Sequence, residues 1–296
     1  MQLNSINIKD KLIFDKFFSC RQHSLSAYAF ENIFIWKNLY RILWTKIGRR
    51  LCVFFKDKVG CFLYLPPLGK DFSSGVARKC FEIMNSYNKN RLISRVENIE
   101  KNEVGLYKKA GFKIIVGGRD YICKKEDLVN LGGNLLKRKR ATVNYFMRNY
   151  CFSYRPYRDT DRKESIDLFR LWMAERKTKN KDTVYQKLLE DNFVAFKTAL
   201  NFYSKLKLVG RVIRVDGKIK AVTFGYPLGD KSFVVLFEVC NLKFKGIAQY
   251  IFREFSREQS VREINIMDDS GIDSLKRVKL SYHPYKSENN FIARNG

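Results

Sequence analysis

Histidine, proline and tryptophan are scarce in this chain, and acidic residues are outnumbered. Two histidines, His23 and His283, occur in 296 residues, with five prolines and three tryptophans. The seven cysteines (Cys20, Cys52, Cys61, Cys80, Cys123, Cys151 and Cys240) form no C-x-x-C pair. With so few imidazoles and no paired thiols, no metal site is expected. Neither histidine lies in a nucleophile motif, which argues against Ser–His–Asp or Cys–His catalysis. The scattered, odd-numbered cysteines read as small buried apolar residues in a reducing compartment. No apolar run reaches bilayer-spanning length, and the opening residues, MQLNSINIKDKLIF, lack the apolar core of a signal peptide. A cytoplasmic protein with no transmembrane segment is the expectation.

What the chain does have is positive charge. Lys and Arg number 57 against 30 Asp and Glu, a formal net charge of +27. Such a surplus repels itself unless a polyanion neutralises it. Nucleic acid, an anionic phospholipid surface and a phosphate-rich cofactor all qualify; a generally lysine-rich proteome is the plain alternative. Hydrophobic residues make up 45% and aromatics 15%, enough for packed cores rather than disorder.

Hydrophobic periodicity predicts a mixed α/β protein. Phe14, Phe17, Phe18, Leu25, Tyr28, Ala29 and Ile33 recur at helical spacing over 11–40. Short apolar runs at 40–47, 51–56 and 61–66 suit strands, punctuated by Gly48 and by 57–60. A helix over 71–87, a strand over 91–96, a short helix over 102–110 and one or two strands over 112–123 complete the first half. The second half repeats the style, with helices over 163–177 and 182–205 and strands at 208–215, 219–226 and 232–240. A helix over 245–259, a strand over 262–267 and a basic end follow. Asp216-Gly217 reads as a hairpin turn. The expected organisation is an N-terminal domain over 1–125, a basic linking segment over 126–160 and a C-terminal domain over 161–296, the two domains related by duplication.

Four motifs bear on chemistry. Lys243-Phe244-Lys245-Gly246-Ile247-Ala248 follows an apolar strand and opens an amphipathic helix. It resembles the Q/R-x-x-G-x-G/A turn with which GNAT acyltransferases cradle the pyrophosphate of coenzyme A. Lys243, Gly246 and Ala248 are its candidate phosphate-binding residues; a plain helix start eased by Gly246 is the other reading. In the first half, the turn over 72–77 has no leading basic residue and reads as structural, while 106–113 resembles a GNAT helix-to-strand element in which Gly111 caps the helix.

The third motif is a charge run. From Lys137 to Arg158 there are seven basic residues and no acidic one, with Tyr145, Tyr150, Tyr154 and Tyr157 interleaved. Cations bind phosphates and aromatic faces stack bases, so Lys137, Arg138, Lys139, Arg140 and Arg148 are candidates for nucleic-acid binding. A solvated helix face is the competing reading. The fourth motif, 265–284, joins a strand end, Asp268-Asp269, a turn and a basic helix. There Asp269 is either a proton acceptor or a helix N-cap, and Lys279 is either an oxyanion partner or a surface lysine.

Taken in order, Ser26–Trp36 with Tyr40 and Trp44, the 65–69 segment LPPLG, the block Asp127-Leu128…Lys139-Arg140…Asn144 and the block 269–284 resemble the DUF2156 family. Its members are similar to the C-terminal catalytic domain of phosphatidylglycerol lysyltransferase. The resemblance implies two tandem GNAT-like domains, shared in outline with Fem-type peptidoglycan aminoacyltransferases. It also implies transfer of an aminoacyl group from a charged tRNA to an amine or a lipid hydroxyl. By that analogy Glu238, Asp269 and Lys279 take catalytic positions, and Arg277, Ser281 and Tyr282 contact substrate. The chain departs from the family at Ala141, Val239-Cys240, Ser274 and Lys276.

Three functions therefore stand at this level. The first is acyl transfer from aminoacyl-tRNA, which the net charge favours because tRNA offers many phosphates. The second is N-acyl transfer from a coenzyme A thioester through the Lys243–Ala248 turn. The third is a non-catalytic module binding RNA or an anionic membrane on a degenerate GNAT fold.

Overall fold

The structure, a computed structural model, describes residues 2–296 and divides into two units. The first takes the chain up to Asp120 together with Asp268–Ser270 and Ser287–Gly296; the second takes Tyr121–Met267 and Gly271–Lys286. The first contains β1 (Asn4–Ser5), α1 (Lys11–Phe18), α2 (Phe30–Phe34), β2 (Arg41–Ile47), β3 (Arg50–Lys56), β4 (Cys61–Leu63), α3 (Ser74–Tyr87), β5 (Val96–Ile99) and α4 (Val104–Lys109). Strand β6 (Lys113–Lys124) begins in the first unit and ends in the second. The second continues with α5 (Lys125–Asn130), α6 (Lys137–Asn149), β7 (Phe152–Pro156), α7 (Arg162–Lys179), α8 (Thr183–Asn201), α9 (Tyr203–Leu206), β8 (Val209–Val215), β9 (Lys218–Leu228), β10 (Ser232–Cys240), α10 (Ile247–Arg257), β11 (Glu263–Asn265) and α11 (Asp273–Leu280). The last strand is β12 (Lys286–Arg294).

The same plan is used twice. In the first unit β1 to β4 pair antiparallel in sequence, then α3 crosses over to set β5 parallel to β4. In the second, β7 to β10 form the antiparallel meander, and α10 crosses over to set β11 parallel to β10. Each parallel pair is closed by an antiparallel strand from the far part of the chain: β12 on β5, and the end of β6 on β11. This is the duplicated, mixed α/β architecture expected from the element order.

Local chemistry explains the elements. Asp216 and Gly217 both have positive φ, 50° and 71°, so Val215 pairs with Lys218 across a two-residue turn whose twist suits a hairpin. Ala77, Cys80, Phe81 and Met84 recur on one side of α3 and are buried in the core of the first unit. Ser73 caps that helix by accepting from the Val76 N–H at 3.3 Å, the structural role expected for the 72–77 turn. Gly111, at φ 90°, ends α4, and the Phe112 N–H reaches back to the Tyr107 carbonyl at 3.1 Å.

Some boundaries differ from the periodicity. The helix expected over 11–40 is split into α1 and α2 because side chains, not helical bonds, hold the intervening backbone. Glu100 accepts from the Ser24 N–H at 2.8 Å and meets His23 Nδ1 at 2.9 Å, while Asp120 accepts from the Ser26 N–H at 2.6 Å. The strand expected over 91–96 starts later, at Val96, because Asn90 accepts from the Leu92 N–H and opens a short 3-10 turn. Residues 126–160 are not a separate linker: they form α5, α6 and β7, with Val143 and Phe146 of α6 buried. The C-terminal half is likewise not self-contained, since residues 287–296 belong to the first unit.

Candidate active site

The site begins with a divergence of strands. The parallel pairing of β10 with β11 runs only from Ser232–Glu263 to Val234–Asn265, yet β10 continues to Cys240. Between Val235 and Phe237 the register against β9 shifts, a bulge that re-aims the strand. Beyond Val234, β10 has therefore lost its parallel neighbour at the carboxyl ends of both strands. Sheets of this type take their ligands there.

Glu238 sits on that released stretch. No hydrogen bond or ion pair holds its carboxyl among the described residues. It is half-buried, with some solvent access and dense protein around it. Burial pushes its carboxyl up to about 8, against a partial downward pull from Lys139. Lys139 reaches the same place from α6. Burial pushes its ammonium down to about 8, opposed by Glu238 and Cys123. Its Nζ lies 3.6 Å from the centre of the Tyr282 ring, a cation–π contact. Tyr282 is buried and packs edge-on against Phe252 at 4.7 Å, which fixes the ring under the ammonium.

Lys279, the buried residue of α11, donates from Nζ to the carbonyl of Ile266, just past the end of β11. Cys123 and Cys240 complete the surroundings. Burial pushes the Cys123 thiol up to about 12 and that of Cys240 well above its ordinary value. Both stay protonated at neutral pH, so neither is a thiolate nucleophile.

The second unit thus brings together Glu238, Lys279 and Tyr282 from the expected site, and adds Lys139. Arg277 and Ser281 lie on the exposed side of α11, where the Ser281 hydroxyl donates to the helix's own Val278 carbonyl at 2.6 Å. Asp269 belongs to the first unit and does not cap α11, whose N-cap position is Ile272. Met267, Ser270 and Gly271 around it have positive φ, so the loop is locally constrained.

The basic run of α6 divides by helical phase. Lys139 shares a face with the buried Val143 and Phe146, four and seven residues on, and that spacing is the sequence signal that it points inward. Arg140 donates to the Leu131 carbonyl, and to that of Gly133 at 3.2 Å, satisfying the frayed end of α5. Lys137, Arg138 and Arg148 face solvent.

The Lys243–Ala248 turn also has structural duties. The Lys243 N–H is taken by Asn241 Oδ1 at 3.1 Å and the Ile247 N–H by the Phe244 carbonyl at 3.1 Å. Gly246, at φ 93°, lies so close to α6 that a Cβ would meet the Thr142 carbonyl oxygen at 2.2 Å. Its lack of a side chain is required by helix packing. Two open surface concavities, one of about 510 Å³ near Arg214 and Asn241 and one of about 470 Å³ near Arg78 and Phe112, lie away from Glu238. Among the described residues no helix is long and apolar enough to cross a membrane.

An antiparallel meander followed by a parallel crossover, used twice, with a bulged divergence of β10 from β11 in the second unit, is the architecture of a tandem GNAT-like protein. The chain belongs to the family described as Phosphatidylglycerol lysyltransferase, C-terminal, which it matches over residues 19–294. A conserved protein of unknown function from Bacteroides thetaiotaomicron is similar at 24% identity and a TM-score of 0.88, covering 100% of both chains. The C-terminal (DUF2156) domain of a putative lysylphosphatidylglycerol synthetase from Agrobacterium fabrum is similar at 13% identity and a TM-score of 0.66, covering 98% of this chain and 93% of that one. A tandem GNAT protein from the clavulanic acid biosynthesis pathway is similar at 9% identity and a TM-score of 0.51, covering 100% and 98%. No curated protein matches the sequence. Family and fold together support an acyltransferase of the lysylphosphatidylglycerol synthase type.

Proposed function

We propose that the protein transfers an aminoacyl group from aminoacyl-tRNA to an amine or a lipid hydroxyl, with chemistry centred on Glu238. The observation that carries this reading is a carboxyl on β10, beyond the point where β11 leaves it, that no described residue hydrogen-bonds or ion-pairs and that burial raises to about 8. A group with that proton affinity is matched to accepting a proton from an amine or hydroxyl as it becomes nucleophilic.

The acceptor's nitrogen or oxygen attacks the ester carbonyl carbon of the aminoacyl group. The bond from that carbon to the ribose oxygen breaks, and Glu238 takes the acceptor's proton and passes it to the departing ribose oxygen. Lys139 and Lys279 provide positive charge near the developing oxyanion. Tyr282 holds the Lys139 ammonium in place. No covalent enzyme intermediate is required. The surplus of +27 suits a polyphosphate donor.

The test incubates the purified protein with a mixture of aminoacylated tRNAs and either amine-bearing peptides or phosphatidylglycerol vesicles, with products read by mass spectrometry. The expected result is an aminoacylated acceptor, with Glu238→Gln lowering the rate by at least about 100-fold. Absence of transfer to every amine and hydroxyl acceptor overturns the reading.

A further inference from the structure

Besides the Glu238 site, three segments distant in sequence meet on the surface of the second unit. They are residues 137–158, 217–229 and 239–253, and none contains a carboxylate. Their contacts are direct. Gly246 abuts the α6 backbone at Thr142, the Asn241 N–H donates to the Lys220 carbonyl at 2.8 Å, and Tyr150 meets Phe244 at 5.3 Å between ring centres.

The result is a surface of unneutralised cations. Among the described residues Lys137, Arg138, Arg148, Lys243 and Lys245 form no ion pair or hydrogen bond with a carboxylate, while Lys220 stands at the margin of the surface, lining a concavity with Glu164 and Asp167. Elsewhere in the same unit basic side chains are paired, as in Arg211–Glu258 at 2.6 Å and Lys177–Glu190 at 2.6 Å. Lys137, Arg138 and Arg148 line the exposed face of α6 and, over eleven residues at about 1.5 Å each, span roughly 16 Å. That length matches a few successive phosphates of an extended strand.

Aromatic rings are set among these cations. Tyr145 is 40% exposed, with Lys245 Nζ 4.7 Å from its ring centre, and Lys220 Nζ lies 5.3 Å from the centre of Phe244. Tyr145 and Tyr150 are themselves neighbours at 6.4 Å. Alternating ring faces and cations are what single-stranded nucleic acid uses, bases stacking while phosphates are neutralised. A bilayer surface would instead need a continuous apolar band, and here the exposed aliphatic side chains, Met147 and Leu242, stand singly.

We infer that the surface formed by the exposed face of α6, the 241–246 turn and Lys220 binds a single-stranded stretch of RNA. The inference deepens the proposed function, since the aminoacyl donor carries such a stretch at its reactive end, and it rests on that reading for its purpose but not for its test.

The test measures anisotropy of a fluorescent single-stranded RNA oligonucleotide and of uncharged tRNA across a salt series. Lys243→Gln with Lys245→Gln is expected to weaken both ligands about tenfold or more and to reduce the salt slope by about 1.4. Tyr145→Leu is expected to weaken binding about tenfold with the slope unchanged. All three positions are solvent-exposed, so circular dichroism of the variants is expected to match the parent. Unchanged RNA affinity in both variants overturns the inference while leaving transfer by Glu238 intact. Binding of anionic vesicles without binding of RNA also overturns it. RNA binding that depends on these residues, without aminoacyl transfer to any acceptor, upholds the surface and rejects the proposed function.

Discussion

The ammonium of Lys139 stands 3.6 Å above the ring of Tyr282, and among the described residues no carboxylate lies within ion-pair distance of it. A lysine placed that way carries its charge over a π face rather than in a salt bridge, and its proton affinity falls with burial to about 8. Glu238 rises to about 8 nearby. The two groups thus change state in the same pH range, which makes the site sensitive to pH.

A transfer rate that depends on ionised Glu238 and protonated Lys139 rises about tenfold per pH unit below 8 and falls above it. Glu238→Gln removes the rising limb. Lys139→Arg keeps the cation at high pH and extends the plateau upward, because a guanidinium does not titrate there. Single-turnover rates between pH 6 and 9.5 check this, and a descending limb unchanged in Lys139→Arg contradicts it.

Glu238 also costs stability. Its folded-state proton affinity exceeds the unfolded value, so the native protein binds more protons between about pH 4.5 and 8, and stability declines as pH rises through that window. Glu238→Gln is therefore expected to match the parent near pH 4.5 and to exceed it increasingly up to pH 8, with a constant gap above. Because the side chain keeps some solvent contact, the gap is of order 1 kcal/mol, about 2 °C in Tm. Thermal melts at pH 5, 7 and 8.5 measure it; a gap that shrinks with pH contradicts the account.

Gly246 offers a structural test independent of chemistry. Alanine at this position faces both φ 93° and a carbonyl oxygen 2.2 Å from its Cβ, so Gly246→Ala is expected to lose roughly 1–3 kcal/mol. A denaturant titration that shows no change would mean α6 moves freely away from the turn.

Asp161 anchors the start of α7. Its carboxylate accepts from Arg155 at 2.7 Å through both oxygens, from the Arg158 N–H at 2.9 Å and from Arg214 at 3.3 Å. Burial is the largest single influence and would raise its proton affinity, but the hydrogen bonds from Arg155 and the Arg158 N–H together with the charges of Arg155 and Arg214 outweigh it and hold the carboxyl below the usual aspartate range. The stabilisation is present above the unfolded value and is lost as pH falls through the lowered folded one. Asp161→Asn is expected to cost roughly 3 kcal/mol at neutral pH. Melts of parent and variant should converge in acid.

The fold was readable because its signals are local. Asp216-Gly217, Ser73 and Gly111 each act within a few residues, and the apolar spacing of α3 and α10 marks a buried face directly. The inward placement of Lys139 is hard to read because it stands in the run Lys137-Arg138-Lys139-Arg140, where charge suggests an outward face; only its phase with Val143 and Phe146 shows otherwise. Family position carries no information on helix phase, and Arg277 and Ser281 lie on the exposed side of α11. The polar strand β12 has neither alternation nor β-branched enrichment, so nothing in its composition announced pairing with β5. The cationic surface around Phe244 was hidden because its parts come from three separate stretches and exist only once Gly246 meets α6.

The return of β12 to β5 has a consequence for how the protein is made. The first unit lacks its closing strand until residues up to Ala293 have left the ribosome, long after its own helices and hairpins have emerged. Through most of synthesis β5 therefore waits with an open edge, and a messenger cut short anywhere in the second half yields two incomplete lobes rather than one finished lobe and one fragment.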